Sequence, residues 1–261
     1  MIRILAFSLA MMLCAGAAGA ETIDIGGMAR SYLTQFPETK SAPLVIVLHG
    51  NTQTGADMRT RTSWSLVASR ERFGLIYPDG LNRAWADLRP DFRRAGRPPP
   101  AGTDDVAFIV RLIEKHVAEG AADPKRVYIT GLSNGGAMTM TLVCARPELF
   151  AAAASVIMNL TDESAAVCRP SQPVPVLMMN GTADPLVPFE GGKGASHYAV
   201  DGFWSTSATL AFWRRVNGGG HRMPGAFSDA RFPRIATAFL GPQNHDIDGA
   251  ETIWAFFRKF P

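Results

Sequence analysis

A serine enclosed by glycines is the residue of this sequence best suited to nucleophilic chemistry: Ser133, in the run Gly131–Gly135 that reads GLSNG. A β-rich segment, Arg126–Thr130, leads into the run, and a segment of helical composition, Asn134–Ala145, follows it. A serine at a tight strand-to-helix turn presents its hydroxyl outward, and the glycines beside it avoid clashes. The free amides at the start of the helix favour developing negative charge. We therefore predict that Ser133 is a nucleophile for acyl transfer, the alternative being a serine N-cap on an ordinary helix.

Acyl transfer also requires hydrogen-bond donors aimed at the oxygen that becomes negative. One predicted donor is the backbone N–H of Asn134, the residue after the nucleophile. The second is predicted in the loop after the apolar segment Pro43–His49, where Gly50 lets the backbone approach closely and Asn51 supplies the N–H. An ordinary Gly-Asn turn is the alternative for this loop. Because His49 precedes the nucleophile in the chain, we expect it to be a structural imidazole rather than the base.

The acid and the base of a serine triad are sought after the nucleophile. Asp184 lies on a loop just past the apolar segment Val174–Met179, where it could orient an imidazole, and a turn-forming aspartate before proline is the alternative. Two histidines on glycine-bearing loops are candidates for the base, His221 and His245. A third, His197, lies in a polar loop with no supporting strand. The order along the chain does not choose between the first two.

The elements that must position these residues alternate between strand and helix. Such alternation predicts a mainly parallel sheet with helices on both faces, and ligand sites in such sheets lie at the carboxyl ends of the strands. The stretch Asn82–Thr103, with four prolines, is predicted to cross the surface near those ends. The predicted strands are Thr22–Ile25, Arg30–Thr34, Pro43–His49, Gly74–Tyr77, Arg126–Thr130, Ala152–Ile157 and Val174–Met179. The predicted helices are Ser63–Phe73, Asp104–Val117, Asn134–Ala145, Thr206–Val216 and Asp248–Lys259.

Length and composition suit one globular domain: 261 residues, of which 47% are apolar and 19% charged. The net charge is +3, and the densest basic cluster, Arg89–Arg97, is broken by Pro90 and Asp91. We expect that cluster to be a solvated loop and expect no nucleic-acid partner.

The N-terminus has a basic start, an apolar run over Ile4–Cys14 and a small-residue tail that ends in Ala18-Gly19-Ala20. This layout predicts a signal peptide over residues 1–20, a single catalytic domain over residues 21–261, and export to the periplasm or the medium. The apolar run is shorter than the roughly 20 residues that span a bilayer, so we expect no stable membrane anchor. Cys144 and Cys168 then remain, and an even count in an exported protein favours a disulfide over two buried thiols.

Seven motifs lie between about Pro43 and Pro261: LHGNTQTG (48–55), YPDG (77–80), DDVAFI (104–109), VYITGLSNGGAMT (127–139), NGTADPLVPFEGG (180–192), GGGHRMPG (218–225) and DIDGAETIWAFF (246–257). Together they resemble the secreted polyhydroxyalkanoate depolymerase and feruloyl esterase family of α/β-hydrolases. The resemblance implies ester hydrolysis through an acyl-enzyme, with no metal or organic cofactor. It also implies that His221 is the base, because the GGGH block (218–221) carries it, and it implies a Cys144–Cys168 disulfide.

One departure from the family pattern concerns the strand that usually precedes the GGGH block. Here the predicted helix runs through Val216 directly into Gly218, so we expect this strand to be missing. Five steps from Val216 to His221 reach at most about 18 Å, while a typical strand spans about 17–20 Å. The segment Arg234–Leu240 is an alternative last strand, and it would place His245 on the following loop as the base.

The expected activity is that of a secreted serine esterase acting on small esters or oligoesters of the polyhydroxybutyrate, feruloyl or acetyl type. The missing strand motivates an alternative, a hydrolase-fold protein that binds ligands without catalysis. A serine peptidase on the same fold is the third hypothesis. Trp85, Phe189 and Trp204 are predicted either to line an aromatic groove or to take part in ordinary packing.

Overall fold

The computed structural model describes residues 20–89, 98–195, 202–217 and 248–261. These residues form a seven-stranded sheet with helices on both faces. Its strands, in chain order, are β1 (Glu21–Ile25), β2 (Met28–Gln35), β3 (Ala42–Leu48), β4 (Gly74–Pro78), β5 (Ala122–Leu132), β6 (Ala152–Val156) and β7 (Val176–Met179). Across the sheet the order is β1-β2-β4-β3-β5-β6-β7. The β1–β2 and β2–β4 pairs are antiparallel, and the remaining pairs are parallel. The prediction of a mainly parallel sheet is confirmed.

The central strands are apolar along their whole length because both faces of the sheet are covered. In β3, every residue from Leu44 to Leu48 is fully buried. Leu44, Ile46 and Leu48 contribute to the core on one face, whereas Val45 and Val47 contribute to the core on the other. The side chains of this one strand therefore divide between two hydrophobic cores.

Helices form the two outer layers. Along the chain they are α1 (Gly55–Arg61), α2 (Trp64–Glu71), α3 (Asp105–Ala118), α4 (Asn134–Ala145), α5 (Asp162–Val167), α6 (Thr206–Asn217) and α7 (Gly249–Phe257). Residues of α1, α2 and α7 pack in one core, and residues of α3, α4, α5 and α6 pack in the other. The predicted placement of helices on both faces is confirmed. Among the described residues, no helix has the length and apolar character required to cross a membrane.

The final helix is fixed to the same layer as α2. Trp254 stacks on Phe73 with ring centroids 4.1 Å apart, and Arg70 of α2 forms a bidentate ion pair with Glu251. Asp248 caps α7 through the Glu251 N–H and accepts a hydrogen bond from Ser63. These contacts attach α7 to the main body from its capping residue onward.

Two short helices, α1 and α5, were not predicted from the sequence. Each begins with a threonine that exchanges capping hydrogen bonds with a residue three positions later, Thr54 with Asp57 and Thr161 with Ser164. The predicted strand over 126–130 is longer in the structure, where β5 begins at Ala122. The predicted absence of a strand before the GGGH block, and the alternative strand over 234–240, lie outside the described residues.

Candidate active site

Ser133 occupies the sharp turn between β5 and α4, as the glycine pattern predicts. Its backbone has φ 54° and ψ −117°, a conformation that is strained for a residue with a side chain. Its N–H donates to the carbonyl oxygen of Val156 at the end of β6, at 2.9 Å, which holds the turn against the sheet. The residue is only partly buried. The hydroxyl-bearing residue therefore lies at the carboxyl edge of the sheet, in a backbone conformation that the surrounding structure imposes.

The glycines around Ser133 are required by close backbone contacts. A Cβ atom at Gly131 would collide with the carbonyl group of Gly135, and a Cβ at Gly135 would lie 2.5 Å from the carbonyl oxygen of His49. A Cβ at Gly136 would lie 3.0 Å from the Cβ of Met158. We call this turn, Gly131–Gly136, the elbow. It admits side chains at these glycine positions only if the backbone moves.

The loop after β3 lies beside the elbow, as predicted for a second oxyanion donor. The Gly50 N–H donates to the Gln53 side chain at 2.9 Å, and a Cβ at Gly50 would be 3.4 Å from the carbonyl oxygen of Leu132. The Gly50 carbonyl oxygen lies 2.8 Å from His49 Nδ1 and accepts from the Gln53 N–H at 3.1 Å, and the Thr52 N–H donates to the Arg83 carbonyl oxygen at 2.8 Å. These contacts of Gly50 and Thr52 fix the peptide groups on both sides of Asn51. The roles of Asn51 and Asn134 as oxyanion donors remain predictions.

His49 is a structural imidazole, in agreement with the sequence prediction. It is fully buried, its Nδ1 lies 2.8 Å from the carbonyl oxygen of Gly50, and its Nε2 accepts a hydrogen bond from the Gly80 N–H at 2.9 Å. This arrangement requires the neutral tautomer with the proton on Nδ1. Burial lowers the pKa of His49 and favours the same neutral form. Both ring nitrogens are occupied, so His49 is unsuited to proton transfer with Ser133.

Ala84 and Trp85, in the segment that follows β4, are buried beside the elbow, so the prediction that this segment crosses the surface is wrong for these two residues. Trp85 is fully buried, its ring packs against His49 at 4.8 Å, and its indole N–H donates to the His49 carbonyl oxygen at 2.8 Å. Of the two interpretations of Trp85, ordinary packing is correct. The ring fills the space beneath the loop after β3 and thereby supports it.

Asn134 connects this segment to the elbow through its side chain, a role that sequence reasoning missed. Its Oδ1 accepts from the Trp85 N–H at 2.8 Å, and its Nδ2 donates to the Trp85 carbonyl oxygen at 3.2 Å and to Asp87 Oδ2 at 2.8 Å. Because Asn134 is also the first residue of α4, its backbone N–H has no acceptor within the helix. The residue therefore combines an available backbone donor with a fully engaged side chain.

A buried ion pair supports the same segment from the other side. Arg30 of β2 pairs with Asp105 at the start of α3, and both side chains are almost completely inaccessible to solvent. The second carboxylate oxygen of Asp105 accepts from the Ala86 N–H at 2.7 Å. Burial raises the pKa of Asp105, and the attraction of Arg30 and these hydrogen bonds oppose the rise. The pair thus links β2, α3 and the residues around Trp85.

Asp184 lies on the loop after β7, where the acid of a triad was predicted. Leu132, Val156 and Met179 pair across β5, β6 and β7, so the ends of β5 and β7 are two strand spacings, about 10 Å, apart. Asp184 Oδ1 accepts from the N–H groups of Leu186 and Val187, at 2.8 and 3.1 Å. Burial raises the pKa of Asp184, and these two hydrogen bonds act in the opposite direction.

The candidate bases lie outside the described residues. His221 and His245 fall within residues 218–247, and His197 falls within residues 196–201. The structure therefore brings the predicted nucleophile and the two predicted oxyanion residues to one edge of the sheet, with the predicted acid on a neighbouring loop. The choice between His221 and His245 stays a prediction.

The remaining predicted features lie next to α5. Cys144 and Cys168 form a disulfide with their Cα atoms 5.1 Å apart, as predicted. Trp204 donates its indole N–H to Asp162 at 2.7 Å and packs edge-on against Phe212. Trp204 also lines an open cleft of about 600 Å³ next to the disulfide. Phe189 is partly buried.

The strand order, the helices on both faces and the serine at the strand-to-helix turn define an α/β-hydrolase fold. A solved thermostable esterase has the same fold: the two superpose with a TM-score of 0.59 at 20% sequence identity, over 93% of this chain and 60% of that chain. The model of the esterase PHB depolymerase family matches residues 30–184, and the chain belongs to that family.

Individual relatives carry esterase and depolymerase names. NocK of Nocardia uniformis subsp. tsuyamanensis, named as a candidate esterase, is 33% identical over 185 residues, which are 66% of this chain and 50% of that protein. Feruloyl esterase B of Piromyces equi is 27% identical over 72% of this chain and 36% of its own length. Poly(3-hydroxyalkanoate) depolymerase C of Paucimonas lemoignei is 33% identical over 44% of this chain and 28% of its own length. The chain spans half or less of the length of these relatives.

Proposed function

We propose that this protein is a serine hydrolase of carboxylic esters, with Ser133 as its nucleophile. The observation that carries the proposal is the backbone of Ser133, held at φ 54° and ψ −117° between β5 and α4, with Gly131 and Gly135 at positions where a Cβ would lie less than 3.0 Å from backbone atoms. Strain of this kind persists only where the surroundings enforce it, and it is typical of catalytic turns. Membership of the esterase PHB depolymerase family supports the same activity.

In the proposed reaction, the Ser133 hydroxyl attacks the ester carbonyl while a histidine accepts its proton. The N–H groups of Asn51 and Asn134 hold the tetrahedral oxyanion. The histidine then protonates the departing alcohol, and an acyl-enzyme remains on Ser133 Oγ. A water molecule, deprotonated by the same histidine, releases the carboxylic acid and restores the serine. Asp184 keeps the histidine in the required tautomer and stabilises its charged form.

We propose His221 as this base, since the family resemblance of the GGGH block favours it. His245 is the rival. The five steps from Val216 to His221 reach at most about 18 Å, no more than the length of one typical strand, so the chain has little length with which to bring His221 to Ser133. Asp184, the proposed partner of this histidine, lies on a loop after β7, whose end is at the same sheet edge as Ser133.

We further propose an exported protein whose signal peptide comprises residues 1–20 and whose residues 21–261 form one domain. The β1 strand begins at Glu21, which pairs with Tyr32 of β2, so cleavage after Ala20 would leave the sheet intact. The disulfide supports an oxidising compartment. Relatives named as feruloyl esterase and poly(3-hydroxyalkanoate) depolymerase suggest aromatic acyl esters or hydroxyalkanoate oligoesters as substrates.

The test is covalent labelling with a fluorescent phosphonate, which reacts with activated serines. We expect the wild-type protein to be labelled and Ser133→Ala to remain unlabelled. Loss of labelling in His221→Ala but not in His245→Ala would support His221, and the reverse would favour His245. A folded wild-type protein that does not react would contradict the proposal and favour a binding protein without catalysis. Hydrolysis of peptides but not esters by a labelled protein would favour a peptidase.

A further inference from the structure

The side chain of Asp87 is completely buried next to the elbow, although the mechanism above does not use it. Its Oδ1 accepts hydrogen bonds from the backbone N–H and the Nε of Arg89, both at 2.9 Å. Its Oδ2 accepts from Arg89 Nη2 at 2.6 Å and from Asn134 Nδ2 at 2.8 Å. A buried carboxylate is costly unless it is paired and fully hydrogen-bonded, and Asp87 meets both conditions.

The Asn134 amide is held at three points by this segment of the chain. Its oxygen accepts from the Trp85 N–H, and its nitrogen donates to the Trp85 carbonyl and to Asp87. The bond to Asp87 is charge-assisted, and such bonds are stronger than those between neutral groups. Asn134 is almost completely buried, so water cannot replace a partner that is lost. The direction of the Cα–Cβ bond of Asn134 is therefore fixed from outside α4.

The same residue carries the backbone N–H that the proposed mechanism aims at the oxyanion. The Cα–Cβ bond and the N–H of one residue are separated by a single backbone torsion, φ. A side chain held at three points therefore restrains the direction in which the N–H points. Oxyanion donors stabilise a transition state only when they are aligned before the reaction begins.

We propose that Asp87 is a positioning residue that aligns the oxyanion donor of Asn134 through the Asn134 side chain. The inference rests on the proposed esterase function and adds to it. The Arg89 guanidinium compensates the negative charge of Asp87. The carboxylate therefore holds Asn134 without placing an uncompensated negative charge near the developing oxyanion.

The test compares the kcat/KM values of a short-chain 4-nitrophenyl ester and of the matching thionoester. Sulfur accepts hydrogen bonds from the oxyanion donors less well than oxygen, so an aligned donor pair favours the ester. We expect Asp87→Ala to lower kcat/KM for the ester about 10-fold, a fraction of the 10²–10³-fold loss that follows removal of a donor. The ratio of ester to thionoester should fall by a similar factor. This ratio is independent of the fraction of each variant that folds.

A double-mutant cycle tests whether Asp87 acts through Asn134. Asn134→Ala retains the backbone N–H but removes the side chain, and it should lower the ratio as Asp87→Ala does. In the Asn134→Ala background, Asp87→Ala should change the ratio by less than about 2-fold, because the two residues share one effect. Thr141→Val is the matched control: the Thr141 hydroxyl accepts from the Leu88 N–H at 3.1 Å and anchors the same segment, whereas the hydrogen bonds of the Asn134 side chain go to Trp85 and Asp87. Its ratio should equal that of the wild type.

Equal losses for the ester and the thionoester in Asp87→Ala, or fully multiplicative effects in the cycle, would overturn the inference while leaving the esterase function in place. If the wild-type protein hydrolysed the ester no faster than Ser133→Ala does, the proposed function would fail and this inference with it.

Discussion

Replacing Gly135 by alanine perturbs the elbow at its narrowest point. The new Cβ would lie 2.5 Å from the carbonyl oxygen of His49 and 2.6 Å from that of Leu48. Both are backbone atoms at the end of β3, so no side-chain rotation can relieve the contact. To reach the 3.0–3.4 Å of the tightest ordinary contacts, α4 and β3 must separate by about 0.5–0.9 Å.

A displacement of that size would separate the two proposed oxyanion donors, because one belongs to the start of α4 and the other to the loop after β3. A misplacement of about 1 Å near a reacting centre costs on the order of 100-fold in rate. Overpacking of this kind also costs about 1–3 kcal/mol of unfolding free energy. At about 2–4 °C per kcal/mol for a domain of this size, that corresponds to a fall in Tm of about 2–12 °C. We therefore expect Gly135→Ala to fold with reduced stability and to lose about 99% of kcat/KM.

The next residue provides a matched control. In Gly136→Ala the new Cβ would lie 3.0 Å from Met158 Cβ, from Ser155 Oγ and from the Val156 carbonyl oxygen, so a movement of about 0.4 Å or less is sufficient, smaller than the movement that Gly135→Ala requires. Esterase kinetics and calorimetric unfolding of both variants test the reasoning. If Gly136→Ala were the more damaging change, or if Gly135→Ala kept wild-type kcat/KM, then steric control of the elbow would be refuted.

Three further predictions concern the surroundings of the site. Asp105→Ala should lower the unfolding free energy by about 3–5 kcal/mol, measured by chemical denaturation, because it leaves Arg30 charged and unpaired in the interior. Asp184→Asn should abolish most ester hydrolysis yet be more stable than the wild type at pH 7, since a pKa raised by burial means that the ionised carboxylate is disfavoured in the folded state. This difference should shrink in denaturation experiments as the pH falls through the raised pKa of Asp184, and a difference that grows would contradict the argument. Replacing both Cys144 and Cys168 by serine should cost about 3 kcal/mol, as expected for a cross-link between residues 24 positions apart.

The elements that could be predicted from sequence are those with a local signature. The uninterrupted apolar run of β3 indicates a strand covered on both faces, and its buried residues confirm this. The periodic apolar residues of α3, preceded by the capping Asp104, predict a helix whose observed bounds differ by one residue at each end. The short α1 and α5 have 7 and 6 residues, too few to establish a periodic pattern. Their threonine caps were the available signal.

In the candidate site, too, only the features with a local signal could be predicted. The elbow requires glycines at positions that are close together in sequence, so Gly131–Gly136 alone indicated where a strained serine would lie. The function of the residues around Trp85 could not be predicted, because their composition resembles that of an exposed loop. Their positions are fixed by hydrogen bonds to Asp105 and Asn134, which lie 19 and 49 positions further along the chain from the residues that they bind.

By itself, the sequence determined the alternation of strands and helices and the serine turn, and it favoured the disulfide that the structure contains. Only the tertiary structure decided the order of the strands, the neutral and fully bonded state of His49, and the attachment of Asn134 to Asp87. The physical reason is the range of the interactions. Backbone conformation and amphipathic periodicity arise from near neighbours, whereas a buried hydrogen bond between residues 47 positions apart leaves no pattern in either segment until packing excludes water from both.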